Sequence, residues 1–180
     1  MTMNHSSISP ATVDDIPALN QLVNSAYRGD SSRKGWTTEA DLLGGIRTSE
    51  ETLREMLANP AASILKYLKD GDLVGCVYLE HKGDSLYLGM LTVSPELQTA
   101  GIGRQLLEAG EQYARDRHCR AVTMTVIPQR HELLAWYERR GYQTTGAVHP
   151  FPDDPRFGEP KIPLSFIELE KVLKTERLGE

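Results

Sequence analysis

Two spacings of apolar residues divide the chain into helices and strands. Ile16, Leu19, Leu22 and Val23 recur at the spacing of one helix face, so "TVDDIPALNQLVNSAYR" predicts a first helix, with Asp14 or Asp15 as its cap. "GDSSRKG" breaks that pattern, and a short helical segment follows over Thr38 to Leu43. "SEETLREMLAN" predicts the next helix, capped by Ser49 or Thr52 and closed by Pro60. The period then drops to two. "SILKYLK", "LVGCVYLEH" and "SLYLGMLTV" predict three strands, and the turn residues Asp70-Gly71-Asp72 and Lys82-Gly83-Asp84 join them as an antiparallel meander.

The second half alternates strand and helix. Leu106, Leu107, Gly110 and Ala114 share one face of a long helix from about Gly103 to Asp116. "AVTMTVI" is the next strand, "HELLAWYERR" a helix ending at Gly141, and "YQTTGAV" another strand. "HPFPDDPRFGEPKIP" reads as a proline-rich loop, and "LSFIELEKVL" as the closing strand. This order predicts a single α/β (α+β) domain, a mixed β-sheet flanked by helices. The Leu86–Val93 and Ala121–Ile127 strands are expected to run parallel through a right-handed crossover. The expected domain spans residues 8–174, between tails at 1–7 (with His5) and 175–180.

Composition narrows the partners. A chain of 180 residues with 39% hydrophobic content suits one core. A formal charge of -5 without a basic stripe argues against nucleic acid. No stretch approaches the roughly 20 apolar residues of a membrane span. "MTMNHSSISP" lacks the apolar core of a secretion signal, so a cytoplasmic setting is expected. Cys76 and Cys119 form no CxxC pair, which predicts neither a metal site nor a disulfide framework. Each lies in or beside an apolar strand, as a packing residue does.

The candidate chemistry begins at Gly101 and Gly103, between a β-branched strand and a helix. Amides at a helix start point outward with partial positive charge, and glycine admits a close phosphate. Two phosphate cradles are excluded. A P-loop needs GxxxxGK[ST], but Arg104-Gln105 follow Gly103; a dinucleotide fingerprint needs a third glycine where Leu106 stands. A plain strand-to-helix corner is the alternative.

The stretch "LGMLTVSPELQTAGIGRQLLEAGEQYA", followed by "VTMTVIPQRHELLAWYERRGYQTTG", resembles the GCN5-related N-acetyltransferase (GNAT) superfamily. Its Q/R-x-x-G-x-G/A hallmark reads Gln98-Thr99-Ala100-Gly101-Ile102-Gly103, and its tyrosine-bearing helix ends here in "YERRGY" from Tyr137 to Tyr142. The resemblance extends over about residues 8 to 172. It implies acetyl-CoA as acyl donor, with the pyrophosphate on the backbone from Gln98 to Arg104. It also implies central parallel strands that splay apart, a bulge near Gly89-Met90-Leu91, and a pantetheine arm paired near Leu91, Thr92 and Val93. Many members carry an asparagine after the second parallel strand; this chain has Pro128-Gln129-Arg130-His131, where Gln129 or Arg130 substitutes. Leu133 and Tyr137 of the following helix complete the implied cofactor contacts.

The implied reaction is direct attack of a primary amine on the thioester. Tyr137 is the expected proton donor to the leaving thiolate, since a phenol with a pKa of about 10 donates without being charged at rest. The Leu91 amide is the expected oxyanion donor. Glu80, His149 or a water chain serves as base; Tyr87 lies beside Glu80 on the neighbouring strand. Trp136 and Tyr142 read as packing, and His118 and His131 as helix-surface residues. The acceptor site is expected from "AYRGDSSRKGWTTEADLLGG", with Tyr27, Arg33 and Trp36 foremost, and from the late loop with Asp153, Asp154 and Glu159. A small amine is the expected substrate, with a peptide amine as alternative. A non-catalytic acyl-CoA-binding module is the competing class. The closing strand offers a surface for a homodimer.

Overall fold

The computed structural model describes residues 5–27, 43–44, 48–97, 101–150, 159–160 and 165–173. Among them, strands β1 (Ser6–Pro10), β2 (Leu43–Gly44), β3 (Ala62–Lys69), β4 (Asp72–Lys82) and β5 (Ser85–Val93) precede β6 (Ala121–Val126), β7 (Gln143–Pro150), β8 (Glu159–Pro160) and β9 (Ser165–Val172). The helices are α1 (Ile16–Tyr27), α2 (Glu50–Ala58), α3 (Ile102–Asp116) and α4 (His131–Glu138). Seven strands form one mixed sheet in the order β1-β3-β4-β5-β6-β9-β7; β2 and β8 form a separate pair.

The meander is present, with β3, β4 and β5 antiparallel in sequence order. Its tight turns place Asp70 and Gly71 at positive φ. β5 and β6 are parallel, as the crossover pattern requires. Two apolar layers cover the sheet. On one face Leu79, Leu86, Leu88, Val122, Met124 and Leu169 meet Leu106 and Leu107 of α3 and Tyr137 of α4. On the other, Ile64, Cys76, Tyr78 and Met90 meet Ile16, Leu19 and Val23 of α1 and Leu53 of α2. α3 approaches closely at two glycines. A Cβ on Gly110 would lie 2.8 Å from Leu88 Cδ1, and one on Gly75 would lie 2.9 Å from Leu106 Cδ1.

Several expectations are corrected. The tail expected over residues 1–7 gives way at Ser6 to a strand paired with β3. His5 is held there, its carbonyl accepting from the Asp70 amide at 2.8 Å. The late loop is shorter at its start, because His149 and Pro150 belong to β7. α4 stops at Glu138, leaving Arg139 and Arg140 beyond its last turn. The helix expected over Thr38 to Leu43 lies outside the described residues except Leu43, which is in β2. Ser49, not Thr52, caps α2: its hydroxyl accepts from the Thr52 amide at 3.1 Å. Cys76 and Cys119 are buried thiols, as expected of packing residues, and burial raises the Cys119 pKa.

The first helix is entered through a 3-10 turn, Val13–Asp15, with Thr12 as N-cap in place of Asp14 or Asp15. Asp15 instead takes the acidic position of a capping box: its carboxylate accepts from the Thr12 amide at 2.8 Å and from Lys66 Nζ at 3.0 Å. Burial pushes this carboxyl up, but those partners outweigh it and hold the pKa below its ordinary value. A depressed folded pKa adds stability above the unfolded value and loses it as pH falls through the folded one. Asp15→Asn is therefore expected to cost about 1 kcal/mol near neutrality. In urea titrations the difference from wild type should narrow as pH falls below about 3.9. A deficit independent of pH would reject the charge as its cause.

Candidate active site

The site is built where β5 changes face. Cys76 pairs with Thr92, yet Tyr78 pairs with Gly89, so β5 carries one residue more than β4 between those pairs. The extra residue is a bulge at Met90-Leu91, and Met90 has φ 54°. Its consequence is a change of parity. Leu86 and Leu88 face α3, and so do Leu91 and Val93; Met90 is turned into the α1 and α2 layer. Thr92 locks the bulge, its hydroxyl donating to the Met90 carbonyl at 2.8 Å. The expected bulge at Gly89-Met90-Leu91 is thus present.

The same strand leaves its parallel neighbour. β5 and β6 pair at Ser85–Ala121, Leu86–Val122 and Tyr87–Thr123, and there the pairing stops. β6 stays paired to β9 as far as Val126–Ile167. The sheet therefore opens between the far ends of β5 and β6. Tyr87 stands at the start of this opening. Its ring lies over Gly89, where a Cβ would come within 2.9 Å of Tyr87 Cε1. Glycine is needed there for the ring to lie flat against the strand.

At the open end, a 3-10 turn (Pro95–Leu97) leads toward α3. Gln98, Thr99 and Ala100 lie outside the described residues. Gly101 is the N-cap, at φ 83° and ψ 5°, a left-handed conformation that glycine adopts without steric cost. Ile102, Gly103 and Arg104 form the first turn, whose amides point along the positive end of the helix. Gly103 faces a different constraint. A Cβ there would make ordinary contacts, 3.7 Å from Val93 Cγ2 and 3.8 Å from Trp136 Cζ2. Arg104 is largely exposed and pairs loosely with Glu108, 3.8 Å apart.

α4 supplies the other wall. Arg130 is its N-cap residue and is buried, and Leu133 packs at the core's margin. Tyr137 is buried, with the ring of Trp136 5.1 Å away and that of Tyr142 5.9 Å away, both edge-on. Tyr142 is fixed in turn: its hydroxyl donates to Glu111 Oε2 at 3.0 Å, and Lys171 Nζ donates to Glu111 Oε1 at 3.0 Å. Burial and the nearby Glu111 charge drive the Tyr142 pKa far upward, so it stays a donor. Glu111 was absent from the sequence reading. Its signal is visible there: it lies on the apolar stripe of α3, four residues after Leu107 and three before Ala114.

The opposite face of the sheet carries polar groups. Glu80 accepts from Tyr78 at 2.6 Å and lies 3.8 Å from Lys82 Nζ, so it is engaged within the strand, not a solvated strand end. Burial first, and then the Glu80 carboxylate, raise the Tyr78 pKa. Tyr87 is Glu80's cross-strand partner, and Lys82 lies 4.9 Å over its ring. His149 Nε2 stands 3.4 Å from Glu168 Oε2. Glu168 pairs across to Thr125 on β6, beyond the last residue joined to β5. The sequence reading missed Glu168; its hint was the alternation of Phe166, Glu168 and Glu170 along β9. Of the acceptor residues, Arg33, Trp36, Asp153 and Asp154 lie outside the described residues, and only the backbone of Tyr27 and Glu159 is described.

A bulged strand, an opened parallel pair and a glycine-started helix thus meet at one end of the sheet. The family model for the acetyltransferase (GNAT) family matches residues 18–142. The chain belongs to this family. YdhI of Bacillus subtilis (strain 168) is 24% identical over 95 residues, a match covering 53% of this chain and 58% of YdhI's own length. The ribosomal-protein-S18-alanine N-acetyltransferase of Escherichia coli has a similar fold, with a TM-score of 0.70 at 17% identity, covering 98% of this chain and 99% of that one. The PaiA N-acetyltransferase of Thermoplasma acidophilum, solved with coenzyme A, reaches a TM-score of 0.70 at 19% identity, covering 94% and 99%. The cofactor that goes with GNAT membership is acetyl-CoA. The described residues suit it, with a left-handed glycine opening α3 and a sheet gap leading inward from that helix start.

Proposed function

We propose that the protein is an N-acetyltransferase moving the acetyl group of acetyl-CoA to the primary amine of a small molecule, by direct attack in a ternary complex. The observation that carries this reading is the end of β5–β6 pairing at Tyr87–Thr123, immediately before the bulge, in a strand whose far end at Val93 lies against the first turn of α3. Acetyl-CoA supplies an activated acyl group when bound. The segment from Gln98 to Arg104 cradles its pyrophosphate through backbone amides. The strand from Leu91 through Thr92 to Val93 aligns the pantetheine arm, with Arg130 and Leu133 closing over it from α4.

Each remaining residue has one job. The Leu91 amide, re-aimed by the bulge, is the donor at the thioester oxygen. Tyr137 holds the proton that the departing sulfur requires. His149, oriented by Glu168, is the base we favour over Glu80, whose carboxylate already accepts the 2.6 Å bond from Tyr78. Tyr87, at the closed end of the gap, borders the acceptor, together with Tyr27, Arg33 and Trp36.

The E. coli protein's name specifies a ribosomal-protein alanine, which makes a peptide amine the second reading. A thiol-release assay decides between them. The expected outcome is acetyl-CoA consumption dependent on a small primary amine, with mass spectrometry showing its acetylated product. Turnover with alanine-started peptides alone would favour the second reading. Acetyl-CoA binding without turnover on any amine would leave a non-catalytic binding module.

A further inference from the structure

We propose that Arg140, stacked on Trp136 beside the start of α3, recognises the 3′-phosphate of coenzyme A and makes the protein discriminate against carriers lacking it. The inference rests on the acetyl-CoA reading of the same site. Trp136 connects the two places. One edge of its indole lies 3.8 Å from the position of a Cβ on Gly103, in the first turn of α3. Its face carries the Arg140 guanidinium, whose carbon is 3.8 Å from the ring centroid. The cation is therefore held one indole's breadth from the first turn of α3.

The guanidinium is fixed but not used up. Arg140 Nη1 donates to the Trp136 carbonyl at 2.9 Å, which orients the fork. Its Nε is buried and has no hydrogen-bond partner among the described residues. The surroundings are cationic. Burial lowers the Arg140 pKa first, and the charges of Arg139 and Arg104 lower it further, with Glu108 alone opposing them. Such a group remains protonated, and gains most from an anion placed against it.

The chemistry of the carrier supplies that anion. The 3′-phosphate of coenzyme A hangs from the ribose that also bears the pyrophosphate, so seating one places the other nearby. It is close to a dianion at neutral pH, and a stacked, planar guanidinium suits its oxygens. A simple helix-ending role for Arg140 accounts for the bond to the Trp136 carbonyl. It does not account for a buried Nε without partner inside a group of arginines.

The test is calorimetry with coenzyme A and 3′-dephospho-coenzyme A on wild type, Arg140→Ala and Arg140→Gln. Wild type is expected to bind coenzyme A at least about tenfold more tightly than the dephospho form. In both variants that ratio should collapse toward one, with dephospho affinity unchanged. Equal wild-type affinity for the two ligands overturns the inference, whether or not the variants fold. Equal weakening of both ligands in the variants overturns it too, showing a structural or general electrostatic role. Failure of wild type to bind either ligand would instead reject the acetyl-CoA reading beneath it.

Discussion

Tyr137→Phe is expected to leave acetyl-CoA affinity within about twofold and to lower kcat by about a hundredfold, the low end for removing a general acid. The substitution is clean because of what surrounds the ring. Tyr137 is buried and edge-on to both Trp136 and Tyr142. A phenylalanine ring keeps these contacts, so no cavity forms. The neighbouring phenol at Tyr142 is tied to Glu111 at 3.0 Å and does not replace the lost hydroxyl. If the hydroxyl acts only after the amine has bound, kcat and kcat/KM should fall together. Calorimetry for binding and single-turnover rates for chemistry separate these cases. An unchanged rate in the folded variant would remove Tyr137 from the mechanism and leave it a packing residue.

The parts of the site legible in the sequence are those made by adjacent residues. Gly101 needs a positive φ, and a glycine between a strand and a helix announces that locally. The meander is legible because its turns carry an Asp-Gly signal at Asp70-Gly71 and a Gly-Asp signal at Gly83-Asp84. The bulge is half legible: Gly89 marks the place, but the residue that takes the strained conformation is Met90. β1 was missed because "SSISP" has one apolar residue in five, and the strand is defined by pairing to β3, far along the chain. Thr12 is not legible as the cap because Asp14 and Asp15, which follow it, are N-cap residue types as well. The His149–Glu168 pair was illegible for the same reason as β1. It exists because β7 and β9 pair antiparallel, placing His149 against Phe166, two residues from Glu168. Local signals report turns and helix ends; long-range register sets which side chains meet across a sheet.

That distinction separates the glycines as well, and leads to the second large expected effect. Gly110 and Gly75 serve the fold, because a Cβ at either would fall within 3.0 Å of core side chains. Gly103 does not: a Cβ there meets Val93 and Trp136 only at ordinary distance. If Gly103 is kept small for a ligand, Gly103→Val should fold with stability near wild type while its two methyls crowd the space above the first turn of α3. Acetyl-CoA affinity is then expected to fall by at least about tenfold, about 1.4 kcal/mol. Gly110→Val should show the opposite profile, losing on the order of 1–3 kcal/mol by overpacking. Binding in its folded fraction should change little. Thermal melts and calorimetry on the two variants measure both quantities. Unchanged affinity in folded Gly103→Val would mean that this glycine only turns a corner, and the cradle would then rest on Gly101 and the backbone before it. Loss of affinity in both variants in proportion to lost stability would show that the glycines shape the fold alone.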